Sequence, residues 1–165
     1  MATELPVRIE FSLPEGWESV PPNSVGAVLA AFVAVHPASV DRFTANITIT
    51  GQIRPPEQTM IEIADESVSR LEGADVPVSV RKRVEAGSPE SPGLSQVLDL
   101  GATVHSQSME LVQCQGFVSM VDVDDPDKRA VIELVLTCRP SQLETVFPDF
   151  QDFVRSVRPA GSSVA

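Results

Sequence analysis

Across residues 130–138 the chain alternates strictly, with Ala130, Ile132, Leu134, Leu136 and Cys138 on one side and Val131, Glu133, Val135 and Thr137 on the other. That is the period of an extended strand. Directly after Arg139 and Pro140 the period changes, and Leu143, Val146, Phe147, Phe150, Phe153, Val154 and Val157 fall at helical spacing. Three of the chain's seven phenylalanines lie on that stripe, so a helix here carries too much apolar area to stay in water and must close over one side of a sheet. Ser141 is the expected N-cap, with Glu144 three residues on. Pro148 interrupts the run, and proline is best tolerated in a first turn. The pattern therefore predicts a helix starting near Phe147, with a longer kinked helix as the alternative.

The upstream segments supply the sheet. Val7, Ile9, Phe11 and Leu13 alternate with Arg8, Glu10 and Ser12, a half-buried first strand ended by Pro14, Glu15, Gly16 and Trp17, after which a turn is expected. Residues 25–35 are apolar on both rows. Their valines and the closing His36-Pro37 predict a central strand, with a buried helix as the alternative. Ala45, Ile47 and Ile49 against Asn46, Thr48 and Thr50 mark a one-sided strand, which Gly51 and Pro55-Pro56 are expected to break. Residues 57–71 carry Met60, Ile61, Ala64, Val68 and Leu71 on one helical face, ended by Gly73.

Val76, Val78, Val80 and Val84 form the apolar row of the next strand, with Ser79, Arg81 and Arg83 opposite and Lys82 snorkelling at the edge. After the loop at 86–93, residues 94–104 and 112–120 give two further strands, and residues 123–128 turn back into the strand at 130. The fold class is thus α+β: an antiparallel central sheet of about six to seven strands flanked by helices on both faces. Strands apolar on both rows need cover on both sides, and the hairpins leave little room for parallel crossovers. If Met120 opposes Ile132, Cys114 falls opposite Cys138 on the same face, and the two are expected to behave as inert buried thiols.

Twelve basic residues against twenty-three acidic ones give a net charge of −11, which repels phosphate backbones and anionic membranes, so no nucleic-acid partner is expected. The longest apolar run, about eleven residues, falls short of the ~20 a membrane span requires. The start, MATELPVRIEF, lacks the basic head and apolar run of a secretory signal, which predicts a cytoplasmic protein. Residues 1–165 are read as a single domain with a disordered tail at 159–165.

Catalytic and cofactor signals are weak. His36 and His105 have no second ligand at metal-binding spacing. The acidic run Asp122, Asp124, Asp125 and Asp127 places Pro126 and Asp127 where a calcium loop wants an oxygen ligand and a glycine. No nucleophile-elbow, P-loop or dinucleotide motif is present. No cofactor, no metal and no enzymatic activity are expected. What remains is surface. The polar row of Asn46, Thr48 and Thr50, with Ser79, Arg81 and Arg83, is expected to flank an open sheet face. Arg81-Lys82-Arg83 is the sole basic cluster, and the bland alternative is a solvated strand face. Trp17, the sole tryptophan, is either an exposed anchor for a partner or a core-edge residue.

Four phrases also carry a likeness: IEFSLPEGW (9–17), FTANITI (43–49), EIADESVSRL (62–71) and the closing FVRSVRP (153–159). Together with the element order they make the chain resemble the PsbP-like superfamily, named for the extrinsic photosystem protein and the Ran-binding Mog protein, and within it the actinobacterial LpqN-type lipoproteins. The resemblance implies a central antiparallel sheet flanked by helices, and non-enzymatic work as a binding, assembly or chaperone-like module. The chain departs from LpqN-type lipoproteins in lacking a lipobox cysteine. The expected function is a non-catalytic module that binds a protein partner as a chaperone or assembly factor. The alternative is a small-molecule carrier with an apolar pocket between sheet and helix.

Overall fold

The structure, a computed structural model, describes residues 5–25, 30–89, 91–104, 106–121 and 129–159. Its elements in chain order are β1 (Ile9–Glu10), β2 (Glu18–Val20), β3 (Phe32–Val35), β4 (Asn46–Arg54), α1 (Met60–Gly73), β5 (Val78–Gly87), β6 (Pro92–Val104), β7 (Gln107–Val121), β8 (Arg129–Cys138), α2 (Leu143–Ser156) and β9 (Arg158–Pro159). Short 3-10 turns occupy Pro22–Val25 and Pro140–Gln142. Seven strands form one antiparallel sheet in the order β2-β3-β4-β8-β7-β6-β5, and β1 pairs with β9 apart from it. The fold is α+β. The sheet consists of two meanders, β2 to β4 and β5 to β8, joined along a single seam where β4 lies beside β8.

The strand-to-helix unit at 130–157 anchors the core. Ile132, Leu134, Leu136 and Cys138 of β8 are fully buried with Ile47 and Ile49 of β4 and Val112 and Cys114 of β7. Phe153, 0% exposed, and Phe150, 4% exposed, close over them from α2. Phe11 meets Phe153 edge-to-face at 5.2 Å and Phe32 at 4.8 Å, so the segment carrying β1 is a third component of the same core. Helix α1 uses the alternate residues of the same strands. Met60, Ile63 and Ala64 pack with Leu94, Phe117 and Val131.

Several expectations are corrected. Helix α2 begins at Leu143, not near Phe147, and Pro148 lies inside it. Burial of Val146 needs the earlier turn, and Pro148 and Glu144 both sit on the exposed side, so the carbonyl that proline leaves unpaired meets water. Gln142, not Ser141, fixes the helix entry. Its Oε1 accepts from the Arg139 amide at 2.8 Å and its Nε2 donates to the carbonyls of Phe43, at 2.6 Å, and Val40, while Ser141 donates to Asp41.

The first strand keeps its alternation of burial, but just two of its residues pair, with β9, which Pro159 of the expected tail helps to form; residues 160–165 lie outside the described residues. The sheet's edge place is taken instead by β2, where a turn was expected. The apolar segment at 25–35 contributes β3, second from that edge and not central, with residues 26–29 outside the described residues. Strand β4 runs through Gly51 to Arg54. A Cβ at Gly51 would stand 3.0 Å from Leu5, Pro6 and Ile132, so the glycine lets the N-terminal segment cross closely over the strand.

In the last hairpin Val118, not Met120, opposes Ile132, so Cys138 faces Val112 and Cys114 faces Leu136. The two cysteines share a face, buried and unbridged. A slip of two residues preserves every facing, which is why hydrophobic pattern alone could not choose between these registers. Burial pushes the Cys114 thiol up to about 12 and Cys138 to about 11, which keeps both protonated at neutral pH.

Replacement of Phe153 by alanine is expected to lower unfolding free energy by about 3–5 kcal/mol in a urea titration. A loss below ~1 kcal/mol would mean that α2 does not seal the sheet.

Candidate functional site: the groove beside α1

On the seam strands the two rows differ sharply. Ile47, Ile49, Leu134 and Leu136 are wholly buried, whereas Thr48, Thr50, Glu133 and Val135 between them remain partly exposed. Helix α1 packs on β6 and β5, reaching Phe117 and Val131 with its inner face, and leaves the row on β4 and β8 partly open. The result is an open groove of about 600 Å³. Ile63, Leu71, Phe117, Val131 and Val135 give it an apolar ground, in which Thr48, Thr50, Gln113, Gln115, Ser67 and Glu133 are set as polar points. Arg54 and Arg70 stand at its walls.

Helix α1 is held against this groove by its start. Thr59 caps it by accepting the Glu62 amide at 3.1 Å. Before it, the buried guanidinium of Arg129 donates to the carbonyls of Pro55 and Gln58 at 2.9 and 2.6 Å, clamping the loop from β4. Arg54 binds both oxygens of Glu66 at 3.0 Å, which together with Gln58 holds the Glu66 carboxyl below the usual carboxylate range.

Glu133 behaves in the opposite way. It lies on β8 between Thr50 of β4 and Phe117 of β7, with its side chain 18% exposed. Its charged neighbour Arg70 reaches it at 3.6 Å, beyond good hydrogen-bonding range. Burial pushes its carboxyl above the ordinary glutamate range, opposed by Arg70, the Ser67 hydroxyl and Arg54.

A line of polar side chains crosses the sheet on the α1 row. Arg83 donates to Asp65 at 2.7 Å and to Gln96 at 2.9 Å; Gln96 donates to Gln115 at 2.6 Å, Gln115 to Gln113 at 2.7 Å, and Gln113 to Thr137 at 3.4 Å. Gln96 and Gln115 are buried. Each amide accepts from one neighbour and donates to the next, so the bonds run in one direction and the amides facing the groove are held in fixed orientation.

Of the residues singled out from sequence, Thr48 and Thr50 line the groove. Asn46, at the start of β4, donates to the Thr44 carbonyl at 3.3 Å. Arg81 and Arg83 do not join them, because β8, β7 and β6 separate β5 from β4. A bulge between Val80 and Lys82 also splits the basic cluster. Arg83 follows the polar line toward α1, whereas Arg81 pairs with Asp99, Nε to Oδ2 at 3.1 Å. Trp17 is 6% exposed, donates Nε1–H to Asp149 at 2.9 Å and lies 5.1 Å from the His36 ring, a core-edge position. No group of three metal-ligating side chains occurs among the described residues; His105 and the acidic run at 122–127 lie outside them. No helix among the described residues is long and apolar enough to cross a membrane. Sequence reasoning missed Ser67 and the glutamines, and weighed Glu133 only as a distant calcium ligand after the acidic run and Arg70 only as a helix-end charge, not as neighbours in a groove. The available signal was Glu133 itself, the one charged residue in the alternation at 130–138.

No family model matches the sequence and no curated protein matches it. Similar solved structures share the fold. LpqN of Mycobacterium tuberculosis, described as involved in cell envelope biogenesis, is 12% identical, with 92% of this chain and 84% of that one covered and a TM-score of 0.64. Cyanobacterial PsbP from Synechocystis sp. PCC 6803 is 14% identical over 92% and 86%, TM-score 0.61. The Saccharomyces cerevisiae Ran-binding protein Mog1p is 11% identical over 92% and 89%, TM-score 0.55. The chain therefore has the PsbP/Mog1 fold.

Two measurements check the site. Gln115→Ala is expected to cost about 1–3 kcal/mol of stability by stranding buried amides, while Arg81→Ala at an exposed pair costs less than about 1 kcal/mol. Glu133 is expected to titrate above the ordinary glutamate range in a carboxyl-detected NMR titration. Because the folded form holds that proton more tightly than the unfolded chain, stability falls as pH rises from the unfolded glutamate pKa to the higher folded one. Glu133→Gln removes this loss, so its stability relative to wild type should grow across that window and level off above it.

Proposed function

We propose that this chain is a non-catalytic protein-binding module, acting in assembly or as a chaperone, and that it receives a basic, extended segment of its partner in the groove beside α1. The observation that carries this reading is the seam itself, where two strands fully buried on one row offer partly exposed polar points on an apolar ground on the other. This reading takes α1 and α2 to cover opposite faces, as the alternate strand residues they contact imply. Such a surface suits a protein segment, whose backbone needs hydrogen-bonding groups and whose side chains need apolar contact. A carrier of apolar molecules would need an enclosed cavity, and the groove is open. The net charge of −11 favours a basic partner. The shared fold with a Ran-binding protein supports a protein as the ligand.

The test is capture of partners from the native host followed by mass spectrometry, comparing wild type with Thr50→Arg, which fills the groove, and Arg81→Glu, which lies away from it. The proposal expects one set of proteins to be lost with Thr50→Arg and retained with Arg81→Glu. Equal recovery with Thr50→Arg, in a protein that unfolds at the wild-type temperature, overturns it.

A further inference from the structure

We propose that Glu133 is the specificity point of the groove and that it takes an arginine guanidinium from the partner, in exchange for Arg70. The inference rests on the groove reading above and names the chemistry at its centre.

Glu133 is an acid of unusual placement, in the middle of a central strand, with its carboxylate lining an open groove. An ionised carboxylate has about four acceptor positions, and here the neighbours that bear on it are the Ser67 hydroxyl and the cations Arg70 and Arg54. Arg54 is committed elsewhere, bound through Nη1 to both oxygens of Glu66. From β4 Thr50 and from β7 Phe117 flank Glu133 without charge. Its charge balance therefore depends on Arg70, which approaches with a single nitrogen at 3.6 Å and is itself 54% exposed. Burial raises the carboxyl's pKa, and Arg70, Ser67 and Arg54 oppose it.

The arrangement already displays what the site accepts. Arg70 brings a guanidinium to the carboxylate from the rim, near the end of α1, through one nitrogen at 3.6 Å. A guanidinium entering along the groove can place two parallel N–H donors on both oxygens, and guanidinium sheds water more readily than ammonium, which suits a mostly buried acceptor. Arg70 has a second acid to turn to, since Glu66 stands one helical turn before it on α1 and already feels its charge. Displacement of Arg70 thus leaves no cation stranded.

The test uses the full chain, labelled with ¹⁵N and titrated at neutral pH with N-acetyl-arginine amide, N-acetyl-lysine amide and N-acetyl-citrulline amide, the last being a neutral isostere of the first. Wild type is expected to show saturable shifts at Thr50, Ser67 and Glu133 with the arginine probe and none with citrulline. Glu133→Gln should weaken arginine binding by about ten-fold or more, a loss of ~1.4 kcal/mol. Arg70→Gln should strengthen it severalfold by removing the internal competitor. Unchanged binding in Glu133→Gln, weaker binding in Arg70→Gln, or equal response to the lysine probe overturns the proposal. If these fail while Thr50→Arg still loses the partner, the groove reading stands and the guanidinium site does not.

Discussion

The structure depends on the burial of one row of side chains along the seam. Ile47 and Ile49 of β4, Leu134 and Leu136 of β8, and Cys114 of β7 make a continuous apolar floor, and Phe150 and Phe153 are the cover that keeps water from it. At roughly 25 cal/mol for each Å² of apolar surface removed from water, this layer is what allows the opposite row of the same strands to carry threonine, glutamine and glutamate. A sheet whose two rows were both modestly apolar would need a second full cover and would have no surface left for contact. Here one row holds the strands together and the other, on β4 and β8, stays partly exposed.

The polar side is ordered in its own right. Arg83, Gln96, Gln115 and Gln113 pass hydrogen bonds across four strands toward Thr137, so a partly exposed arginine on the edge strand steadies amides at the groove. The basic residues that look in sequence like a docking patch are instead divided by a bulge, one serving this line and one satisfied by Asp99.

Residue pattern disclosed the parts where burial is one-sided and local. The alternation at 130–138, the helical stripe after it, α1 and the facing of both cysteines follow from period alone. What period cannot supply is partnership. It cannot choose between registers two residues apart, which is why Cys138 meets Val112 instead of Cys114. It gave no sign that Glu18–Val20, too short to show alternation, would take the sheet edge while the better-patterned segment around Ile9 stayed outside the sheet. The same limit hid the groove: Thr50, Glu133 and Gln115 lie far apart along the chain and become neighbours through strand pairing.

The antiparallel contact of β4 with β8, in which Ile53 meets Ala130 and Asn46 meets Thr137, has a kinetic side. Each meander can zip from its own hairpins, whereas this contact must close a loop of about half the chain, and longer loops are slower to close. The groove straddles that contact, so it exists only once the two meanders have met. A chain in which the meanders have formed but not joined would hold strands without the groove, whose presence reports that the sheet has closed along its seam.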